Sequence, residues 1–278
     1  MGRKAQLVIG PAGSGKSTYT QTIQKHCELS RRTVHCINLD PAAEYFAYNP
    51  TIDIRDLISL EDVTEELNYG PNGGLVFCME YFINNIEWFK KQIGEFEDDY
   101  LIIDCPGQIE LYSHFSLMTK LIQEMQNWNY TVCGVYIIDC HFILEPYKFI
   151  SGMLACLSSM IQLEIPFVNV ISKMDLLGKQ ERKTVKKFIS SNPQEMLRLV
   201  NRNNNPLFYK LNKAFIKLLQ DFSLVGFTTL DITDEDSIAR VLLQIDLTIQ
   251  YGEDEEVYDT TNLPDENMDD FINQHLDN

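Results

Sequence analysis

The segment GPAGSGKST at residues 10–18 limits the fold of this 278-residue chain more than any other feature. It lies between the apolar run 7–9 and a helix-forming stretch, so it connects a predicted strand to a predicted helix. GxxxxGKS is the pattern of a phosphate-binding loop, or P-loop: glycines turn backbone N–H groups toward phosphate oxygens, the lysine reaches the β- and γ-oxygens, and the serine hydroxyl can bind Mg²⁺. The plainer alternative is a glycine-rich turn. The predicted nucleotide-binding residues here are Gly13, Ser14, Gly15, Lys16, Ser17 and Thr18.

Short apolar runs alternate with longer helical patterns along the chain. The predicted strands are residues 6–9, 34–38, 100–103, 132–138, 167–171 and 227–230. Strands that alternate with helices favour a parallel sheet with helices on both faces, here an α/β fold of the P-loop NTPase type with a mostly parallel sheet. Ligands of such sheets bind beyond the carboxyl ends of the strands, so the residues that follow each strand are candidates for the site.

Acidic residues follow two of these strands. Asp104 opens the segment DCPGQIE at 104–110, where a carboxylate is placed to hold Mg²⁺ and the N–H of Gly107 can contact the γ-phosphate. Asp40 follows the strand at 34–38 and could orient a water on the metal or the attacking water. Its plainer alternative is a turn or helix N-cap carboxylate. The predicted Mg²⁺-binding residues are Ser17, Asp40 and Asp104.

The segment SKMD at 172–175 follows the next strand and predicts which base is bound. The Asp175 carboxylate can accept hydrogen bonds from both N1–H and the 2-amino group of guanine, which adenine does not offer, so it would select GTP. The stem of Lys173 can lie along the base. The first residue of this motif is usually Asn or Thr, so Ser172 is expected to weaken contacts to the loop. Thr228, Thr229 and Leu230 lie where a last loop could donate a backbone N–H to guanine O6, and Thr229 is the one assigned to the nucleotide site.

Gln108 and Glu110 are the candidates for positioning the attacking water. A glutamine directly after the glycine of DxxG is where many GTPases place this residue. Glu110 has the plainer alternative of a charge at a helix start. The predicted reaction is in-line attack of water on the γ-phosphate of GTP, with Lys16, Mg²⁺ and P-loop amides offsetting the negative charge.

These motifs, together with DPA at 40–42 and GPN at 70–72, resemble in order and spacing those of the GPN-loop GTPases. The resemblance spans residues 4–251, and the length and acidic ending are most similar to the third, small eukaryotic paralogue of that family. It implies a dimer in which Gly70, Pro71 and Asn72 of one subunit act at the nucleotide site of the other, with Asn72 contacting phosphate or the hydrolysis intermediate. The insertion at about 41–99 is expected to be helical and to carry this GPN loop.

The resemblance also implies a heterodimer with a larger paralogue, with a homodimer as the alternative. It further implies a role in RNA polymerase II assembly, with polymerase subunits as clients, and a cytoplasmic location with nuclear shuttling. Two functions stay open: a slow GTP-hydrolysing switch, and a nucleotide-stabilised structural subunit with little hydrolysis of its own. A P-loop kinase is the weaker competitor, because it would need an acceptor pocket and a basic lid.

Composition argues against several other classes. The first residues lack the long apolar stretch of a signal peptide, and no later run approaches the ~18 apolar residues that a spanning helix needs, so no membrane association is expected. The net charge is −17 with no basic stripe, which argues against direct nucleic-acid binding. The seven cysteines show no CxxC spacing and are predicted to be buried thiols rather than zinc ligands.

The charge is unevenly distributed. Residues 252–278 contain ten Asp or Glu and no Lys or Arg, and they are predicted to form a disordered solubilising tail beyond a GTPase domain at 1–251. The alternative is a docking arm whose apolar residues have roughly helical spacing, namely Met268, Phe271, Ile272 and Leu276. The helical segment at about 180–222 carries basic residues among apolar positions and is predicted to be a solvated face, with a client-binding surface as the alternative.

Overall fold

Seven parallel strands form one sheet in a computed structural model that describes residues 2–46, 48–94, 100–189, 193–201, 206–221 and 226–252. The strands are β1 (Arg3–Ile9), β2 (Val34–Asn38), β3 (Ile52–Asp53), β4 (Tyr100–Asp104), β5 (Tyr130–Asp139), β6 (Phe167–Ser172) and β7 (Phe227–Thr229). Their spatial order is β3-β2-β4-β1-β5-β6-β7, and every neighbouring pair is parallel. The carboxyl ends of all strands therefore meet at one edge of the sheet. The α/β prediction is confirmed, and β3 is the strand that was not predicted, because two residues show no pattern.

Helices connect the strands and cover both faces of the sheet. Within the described residues they are α1 (Lys16–Leu29), α2 (Leu60–Leu67), α3 (Pro71–Asn84), α4 (Ile86–Ile93), α5 (Glu110–Ser113), α6 (Leu117–Asn127), α7 (His141–Leu144), α8 (Pro146–Leu163), α9 (Lys179–Ile189), α10 (Pro193–Asn201), α11 (Tyr209–Asp221) and α12 (Glu235–Thr248). Among them, none has both the length and the apolar character that crossing a bilayer requires.

Two apolar layers hold the helices on the sheet. Successive residues of a strand point to opposite faces, so Leu7 and Ile9 pack into one layer and Val8 into the other. The layer that contains Val8 is covered by α1 and α12, and the opposite layer is covered by the helices from α3 to α11.

All seven cysteines are buried free thiols, as predicted, and burial raises the pKa of Cys36 to about 12.

The insertion between β2 and β4 is largely helical, as expected, and contains α2, α3 and α4. Gly70 is the N-cap of α3 and Pro71 is its first residue, so the GPN segment is the start of a helix rather than a free loop. Proline suits this position because the first turn of a helix has no hydrogen-bond partner for its N–H. Gly74 lies close to α2: a Cβ there would be 2.7 Å from Leu60 Cδ1.

The predicted helical segment consists of α9, α10 and α11, and the last two pack against α8. Their inward faces bury Val185 and Phe188, Met196 and Val200, and Ile216 and Leu219. The acidic tail prediction falls on residues beyond 252, which lie outside the described residues, and the domain boundary at 251 stays a prediction.

A side-chain clamp joins α12 to the rest of the domain. The Arg32 guanidinium donates two hydrogen bonds to the Asp246 carboxylate, at 2.7 and 2.9 Å. It also lies between the rings of Tyr100 and Tyr251, 4.1 and 3.7 Å from their centroids. The clamp therefore holds together the turn between α1 and β2, the first residue of β4 and the chain that follows α12.

Candidate nucleotide-binding site

The P-loop lies between β1 and α1, at the edge where the strands end. Gly10 has a φ of +142°, and a Cβ there would be 2.3 Å from the Ile137 carbonyl oxygen, so only glycine fits. The loop opens onto a cavity of about 450 Å³. This phosphate cavity is lined by Ala12, Gly13, Gly15, Lys16, Ser17, Thr18, Asp40, Gly107 and Lys173.

Lys16 is the first residue of α1, with Gly15 as the N-cap and no acidic residue in the first turn. The N-terminus of such a helix presents unpaired N–H groups and a partial positive charge, which favour an anion. Lys16 is buried, and its ammonium donates to the Pro11 carbonyl oxygen at 3.3 Å. Burial lowers the pKa of Lys16, while the nearby carboxylates of Asp104 and Asp40 oppose that change.

Asp104 is the last residue of β4 and is buried. Its Oδ2 accepts a hydrogen bond from the Tyr48 hydroxyl at 3.1 Å, whereas Oδ1 makes none of standard geometry among the described residues. Burial raises the pKa of Asp104 to about 6, opposed by the adjacent Ser17 hydroxyl, Lys16 and Tyr48. A buried carboxylate oxygen without a donor, beside a serine hydroxyl, matches the oxygen ligands that Mg²⁺ takes, so these residues fit that ion.

Asp40 is a turn carboxylate at the phosphate cavity, and its role toward the metal or the attacking water stays a prediction. Its Oδ1 accepts the Ala42 N–H at 3.0 Å, as a turn carboxylate does, and the residue also lines the phosphate cavity. Burial raises its pKa, opposed by the Ala42 N–H and Lys16. Asn38 supports the turn, because its side chain accepts the Asp40 N–H at 3.0 Å and donates to Asp53 of β3 at 2.9 Å.

The residues after Asp104 meet the site in different ways. Gly107 packs on the P-loop, where a Cβ would lie 2.8 Å from Ala12 Cα. Gln108 is half-buried, and its Oε1 is a buried atom with no hydrogen bond among the described residues. Glu110 is exposed and begins α5, which agrees with its plainer alternative. Neither Gln108 nor Glu110 lines the phosphate cavity, so their catalytic roles stay predictions.

A second cavity of about 200 Å³ adjoins the first. This base cavity is lined by Gly15, Thr18, Tyr19, Ser172, Lys173, Asp175, Leu176, Leu230 and Ile232. Asp175 Oδ1 is buried and has no hydrogen-bond partner within the described chain. Ser172, expected to weaken contacts to the loop, instead donates its hydroxyl hydrogen to the Ser14 carbonyl oxygen at 2.5 Å. The short serine side chain therefore ties the end of β6 to the P-loop.

Thr229 does not line the base cavity. It is the last residue of β7, paired with Ile171 of β6, and the pairing continues one residue further, since the Leu230 N–H donates to the Ile171 carbonyl oxygen at 2.7 Å. That N–H is therefore not available for guanine O6. The following loop instead contributes the side chains of Leu230 and Ile232, which the sequence interpretation did not assign to the base.

Asp139 is the main site residue that sequence reasoning missed. Lys173, with a left-handed φ of 60°, donates its ammonium protons to the Gly13 carbonyl oxygen at 2.6 Å and to Asp139 Oδ2 at 2.7 Å. Burial acts to raise the pKa of Asp139, but hydrogen bonds from Lys173 and His141 lower it to about 2. The signal was present, because Asp139 follows an apolar strand as Asp104 does.

Asp139 also belongs to a group of three potential metal ligands with Cys140 and His141, which is the one such group in the described part of the chain. The His141 ring nitrogen Nδ1 lies 2.7 Å from Asp139 Oδ1. The other oxygen of this carboxylate already receives the Lys173 ammonium. The contacts shown are therefore those of a network that holds Lys173.

The GPN segment lies apart from both cavities of its own subunit. Gly70, Pro71 and Asn72 are exposed, and none of them lines the phosphate or the base cavity. The ring of Tyr69, just before helix α3, and those of Phe77 and Tyr81 on it form a row, with centroid separations of 5.5 and 6.5 Å. The action of this segment in trans stays a prediction.

Comparisons with known proteins place this site in context. A family model described as a conserved hypothetical ATP binding protein matches residues 8–251. A protein named GPN-loop GTPase 3 from Dictyostelium discoideum is 51% identical over 255 residues, which is 91% of this chain and 90% of that protein. Its namesake from Danio rerio is 48% identical over the full length of both.

A further protein named GPN-loop GTPase 3, from Schizosaccharomyces pombe, is 41% identical over 97% of this chain and 99% of that protein. The crystal structure of a GTPase from Pyrococcus abyssi in its apo form superposes with a TM-score of 0.76 at 21% identity. It covers 88% of this chain and 97% of the other. At that identity the structural match supports the fold alone.

Proposed function

The chain belongs to the family of GPN-loop GTPases, and on that premise we propose that it is a Mg²⁺-dependent switch that binds GTP and slowly hydrolyses it as part of a dimer. The observation that carries the choice of GTP is the buried, unpartnered Asp175 Oδ1 in the base cavity. A buried acceptor without a donor is costly, and the N1–H and 2-amino groups of guanine would satisfy it. Adenine offers no such pair of donors.

The phosphate end of the nucleotide would lie in the adjoining cavity. The P-loop N–H groups and the start of α1 would bind the β-phosphate, and the Lys16 ammonium would exchange the Pro11 carbonyl oxygen for phosphate oxygens. Lys173 joins the two cavities, because it lines both and is held by Gly13 and Asp139. Its stem would lie along the base while its charge stays neutralised.

Ser17 and Asp104 would hold Mg²⁺, with Asp40 orienting its water. The ion would neutralise charge on the β- and γ-phosphates when bound. On the protein side, Tyr48 fixes one oxygen of Asp104 and leaves the other unpartnered. The burial of this carboxyl would be compensated by the cation.

Hydrolysis would require a positioned water and stabilisation of the transferring phosphoryl group. Gln108 and Glu110 are the proposed water-positioning residues in the same subunit. Asn72, Gly70 and Pro71 of the second subunit would supply a side-chain amide and backbone dipoles at the phosphates. The exposure of this segment on α3 supports an action on another subunit, because it leaves the segment accessible.

A second function is a structural subunit that holds GTP but hydrolyses little of it. One observation favours it: neither Gln108 nor Glu110 lines the phosphate cavity of the isolated chain. In that case nucleotide binding would stabilise the folded subunit and its dimer through the binding free energy alone.

The cellular role is proposed from the family resemblance alone. The partner would be the larger GPN-loop paralogue, with a homodimer as the alternative, and the clients would be subunits of RNA polymerase II. The protein would act in the cytoplasm and accompany its client toward the nucleus. Direct contact with nucleic acid or membrane is not part of this proposal.

Asp175→Asn tests the base assignment. An asparagine amide can donate to the 2-oxo group of xanthine, whereas it meets the 2-amino group of guanine with the wrong polarity. We expect GTP affinity to fall about 100-fold or more and XTP affinity to rise. Nucleotide affinity is measured by fluorescent-analogue displacement, with Glu181→Gln as an exposed control. Unchanged GTP preference would contradict guanine recognition by Asp175.

Turnover measurements separate the two functions. GTP and ATP hydrolysis with Mg²⁺ is compared for the protein alone and mixed with the larger paralogue, in the native chain and in Asn72→Ala. GTP-specific turnover that rises on mixing and is lost in the variant supports a switch that acts across a dimer. Tight GTP binding without turnover favours the structural subunit. Asn84→Ala, exposed at the other end of α3, is the matched control.

A further inference from the structure

The exposed side of α10 and α11 differs in charge from the rest of the protein. Residues 179–221 contain ten Lys or Arg and three Asp or Glu, in a chain whose net charge is −17. Four basic residues lie on α10 and α11, and all four are exposed and form no ion pair within the described ranges, namely Arg198, Lys210, Lys213 and Lys217. This positive potential is therefore not neutralised by the surrounding described surface.

Apolar side chains flank these charges. On a helical wheel of α11, at 100° per residue, three lysines lie between apolar residues on the outer arc. In angular order this arc contains Tyr209, then Lys213, Lys217 and Lys210, and then Leu218 and Leu211. Leu211 and Tyr209 are each 47% exposed and Leu218 is 41% exposed. On the Tyr209 side the arc borders a groove of about 600 Å³, lined by Gln194, Leu197, Arg198, Leu199, Asn201 and Tyr209. We call this arc and groove the basic–apolar face.

The C-terminal segment has the complementary composition. Residues 253–278 contain ten Asp or Glu and no Lys or Arg. Its apolar residues Met268, Phe271, Ile272 and Leu276 are spaced i, i+3, i+4 and i+8, which would place them on one side of a helix with acidic residues beside them. An acidic amphipathic segment and a basic groove with apolar walls match in both charge and polarity.

The root of this segment and the end of α11 lie at the same edge of the sheet, on opposite faces of it. Tyr251 packs on Tyr100, the first residue of β4, so the chain leaves the domain at the amino edge of the sheet. Helix α11 ends at Asp221, just before β7 begins at Phe227 on that same edge. The fifteen residues 253–267 can span up to about 50 Å, which is comparable to the diameter of about 50 Å that a radius of gyration of about 19 Å implies for a compact chain of this size.

We propose that residues 253–278 dock on the basic–apolar face of α10 and α11 in the same molecule. The acidic residues pair with Arg198, Lys210, Lys213 and Lys217, and the apolar residues enter the groove beside Tyr209. Because the segment is covalently attached, its effective concentration at the face is on the order of millimolar, so weak contacts suffice. The interaction weakens as salt rises. It is independent of the nucleotide chemistry proposed above.

Zero-length carbodiimide cross-linking of the full chain tests the contact. Equal amounts of ¹⁴N- and ¹⁵N-labelled protein are mixed, cross-linked and mapped by mass spectrometry. We expect links from the carboxylates at 265–270 to Lys210, Lys213 and Lys217, within one isotope label, that disappear at 0.5 M NaCl. Links only between labels would show a second copy as the occupant and overturn the proposal. Links spread evenly over surface lysines such as Lys25 and Lys91 would overturn it also.

A charge swap makes the test specific. Lys213→Glu with Lys217→Glu should lower the yield of links to Lys210 about tenfold, and adding Asp269→Lys with Asp270→Lys should restore it. Lys25→Glu with Lys91→Glu, two exposed lysines far from α11 in sequence, is the matched control and should leave the yield unchanged. Equal loss in the control, or no rescue by the swap, would contradict the proposal. Circular dichroism confirms that each variant is folded.

Discussion

Two residues at the candidate site each carry a buried polar atom that has no hydrogen-bond partner in the described chain. Asp104 Oδ1 and Asp175 Oδ1 are both buried without hydrogen-bond partners among the described residues. Such atoms cost free energy when nothing binds to them, commonly about 1–3 kcal/mol each. A cation at the first and a guanine base at the second would remove that cost. Ligand binding and folding stability are therefore expected to be strongly linked.

Asp104→Asn should stabilise the nucleotide-free protein at neutral pH. Burial raises the pKa of Asp104 to about 6, above its usual range near 4. The folded state therefore binds this proton more tightly than the unfolded state, and stability falls as pH rises through about 6. At pH 8 without Mg²⁺ we expect the variant to be more stable by about 1–3 kcal/mol, with a smaller difference at pH 5.5. Urea unfolding in EDTA measures this.

The same variant should lose the stabilisation that GTP with Mg²⁺ gives the native chain, because the proposed cation ligand is gone. Glu61→Gln, at an exposed position, is the control and should change neither quantity by more than about 0.5 kcal/mol. A variant less stable than the native chain at pH 8 would contradict the account of Asp104.

Residues that follow strands were predictable because the sequence pattern locates the strand ends. This rule selected Asp40, Asp104 and Asp175, and the structure places Asp40 at the phosphate cavity and Asp175 at the base cavity. Contacts formed between distant segments were not predictable: Tyr48 reaches Asp104 from 56 residues away, and Asp139 meets Lys173 across 34. Nor does the sequence show that the Leu230 N–H donates to the Ile171 carbonyl oxygen of β6, which removes that N–H as a donor to guanine O6.

At the scale of elements, the site depends on two loops that touch. The P-loop and the turn after β4 approach so closely that a Cβ on Gly107 would lie 2.8 Å from Ala12 Cα and 3.1 Å from its backbone nitrogen. Backbone atoms cannot move aside as a side-chain end can, and Ala12 belongs to the loop that shapes the phosphate cavity. The spacing of these loops therefore sets the shape of that cavity.

Gly107→Ala should impair nucleotide binding more than it impairs folding. The added methyl group would displace the P-loop by several tenths of an ångström, and we expect GTP affinity to fall about tenfold or more, with a stability loss of about 1–3 kcal/mol. Isothermal titration and urea unfolding measure the two effects. Gly178→Ala is the control, since its Cβ would meet nothing nearer than 3.5 Å. Native affinity in Gly107→Ala would show that the loops can separate.

The pattern of strands and helices was the most predictable level, because alternating apolar runs and helical stretches imply this sheet. The spatial order of the strands was less predictable, because several strand orders satisfy the rule that crossover connections are right-handed. The start of α3 was less predictable: GPNGG contains three glycines, which disfavour a helix, and packing of Gly74 against α2 outweighs that preference.

At the scale of the whole molecule, the Arg32 clamp joins the last described helix to the centre of the sheet. The Arg32 guanidinium donates two hydrogen bonds to the Asp246 carboxylate and lies between the rings of Tyr100 and Tyr251. A chain of two buried hydrogen bonds connects the clamp to α1. The Gln6 amide donates to the Tyr100 hydroxyl at 2.6 Å, and the Tyr19 hydroxyl of α1 donates to the Gln6 side-chain oxygen at 2.7 Å. Residues far apart in sequence thus share one polar network.

Arg32→Ala should destabilise the folded domain by about 3 kcal/mol or more, because it leaves the Asp246 carboxylate without its partner and opens a gap between two rings. Arg32→Lys should recover little of this, since an ammonium lacks the planar fork. Urea unfolding measures both. Arg240→Ala, at an exposed position of α12, should cost less than about 0.5 kcal/mol. A loss below 1 kcal/mol for Arg32→Ala would mean that the clamp is not a stabilising contact.

The clamp also holds the chain around Tyr251 beside the start of β1. Strand β1 begins at Arg3, and its neighbour Lys4 pairs with Tyr100, the residue on which Tyr251 packs. Arg3 and Tyr251, near the two ends of the described chain, therefore lie side by side on the edge opposite the nucleotide cavities. A short linker could join them, and new termini could be opened in an exposed surface turn, giving a circular permutant with an intact site. Attachment to a sensor surface through either end would likewise leave the nucleotide face open to solution.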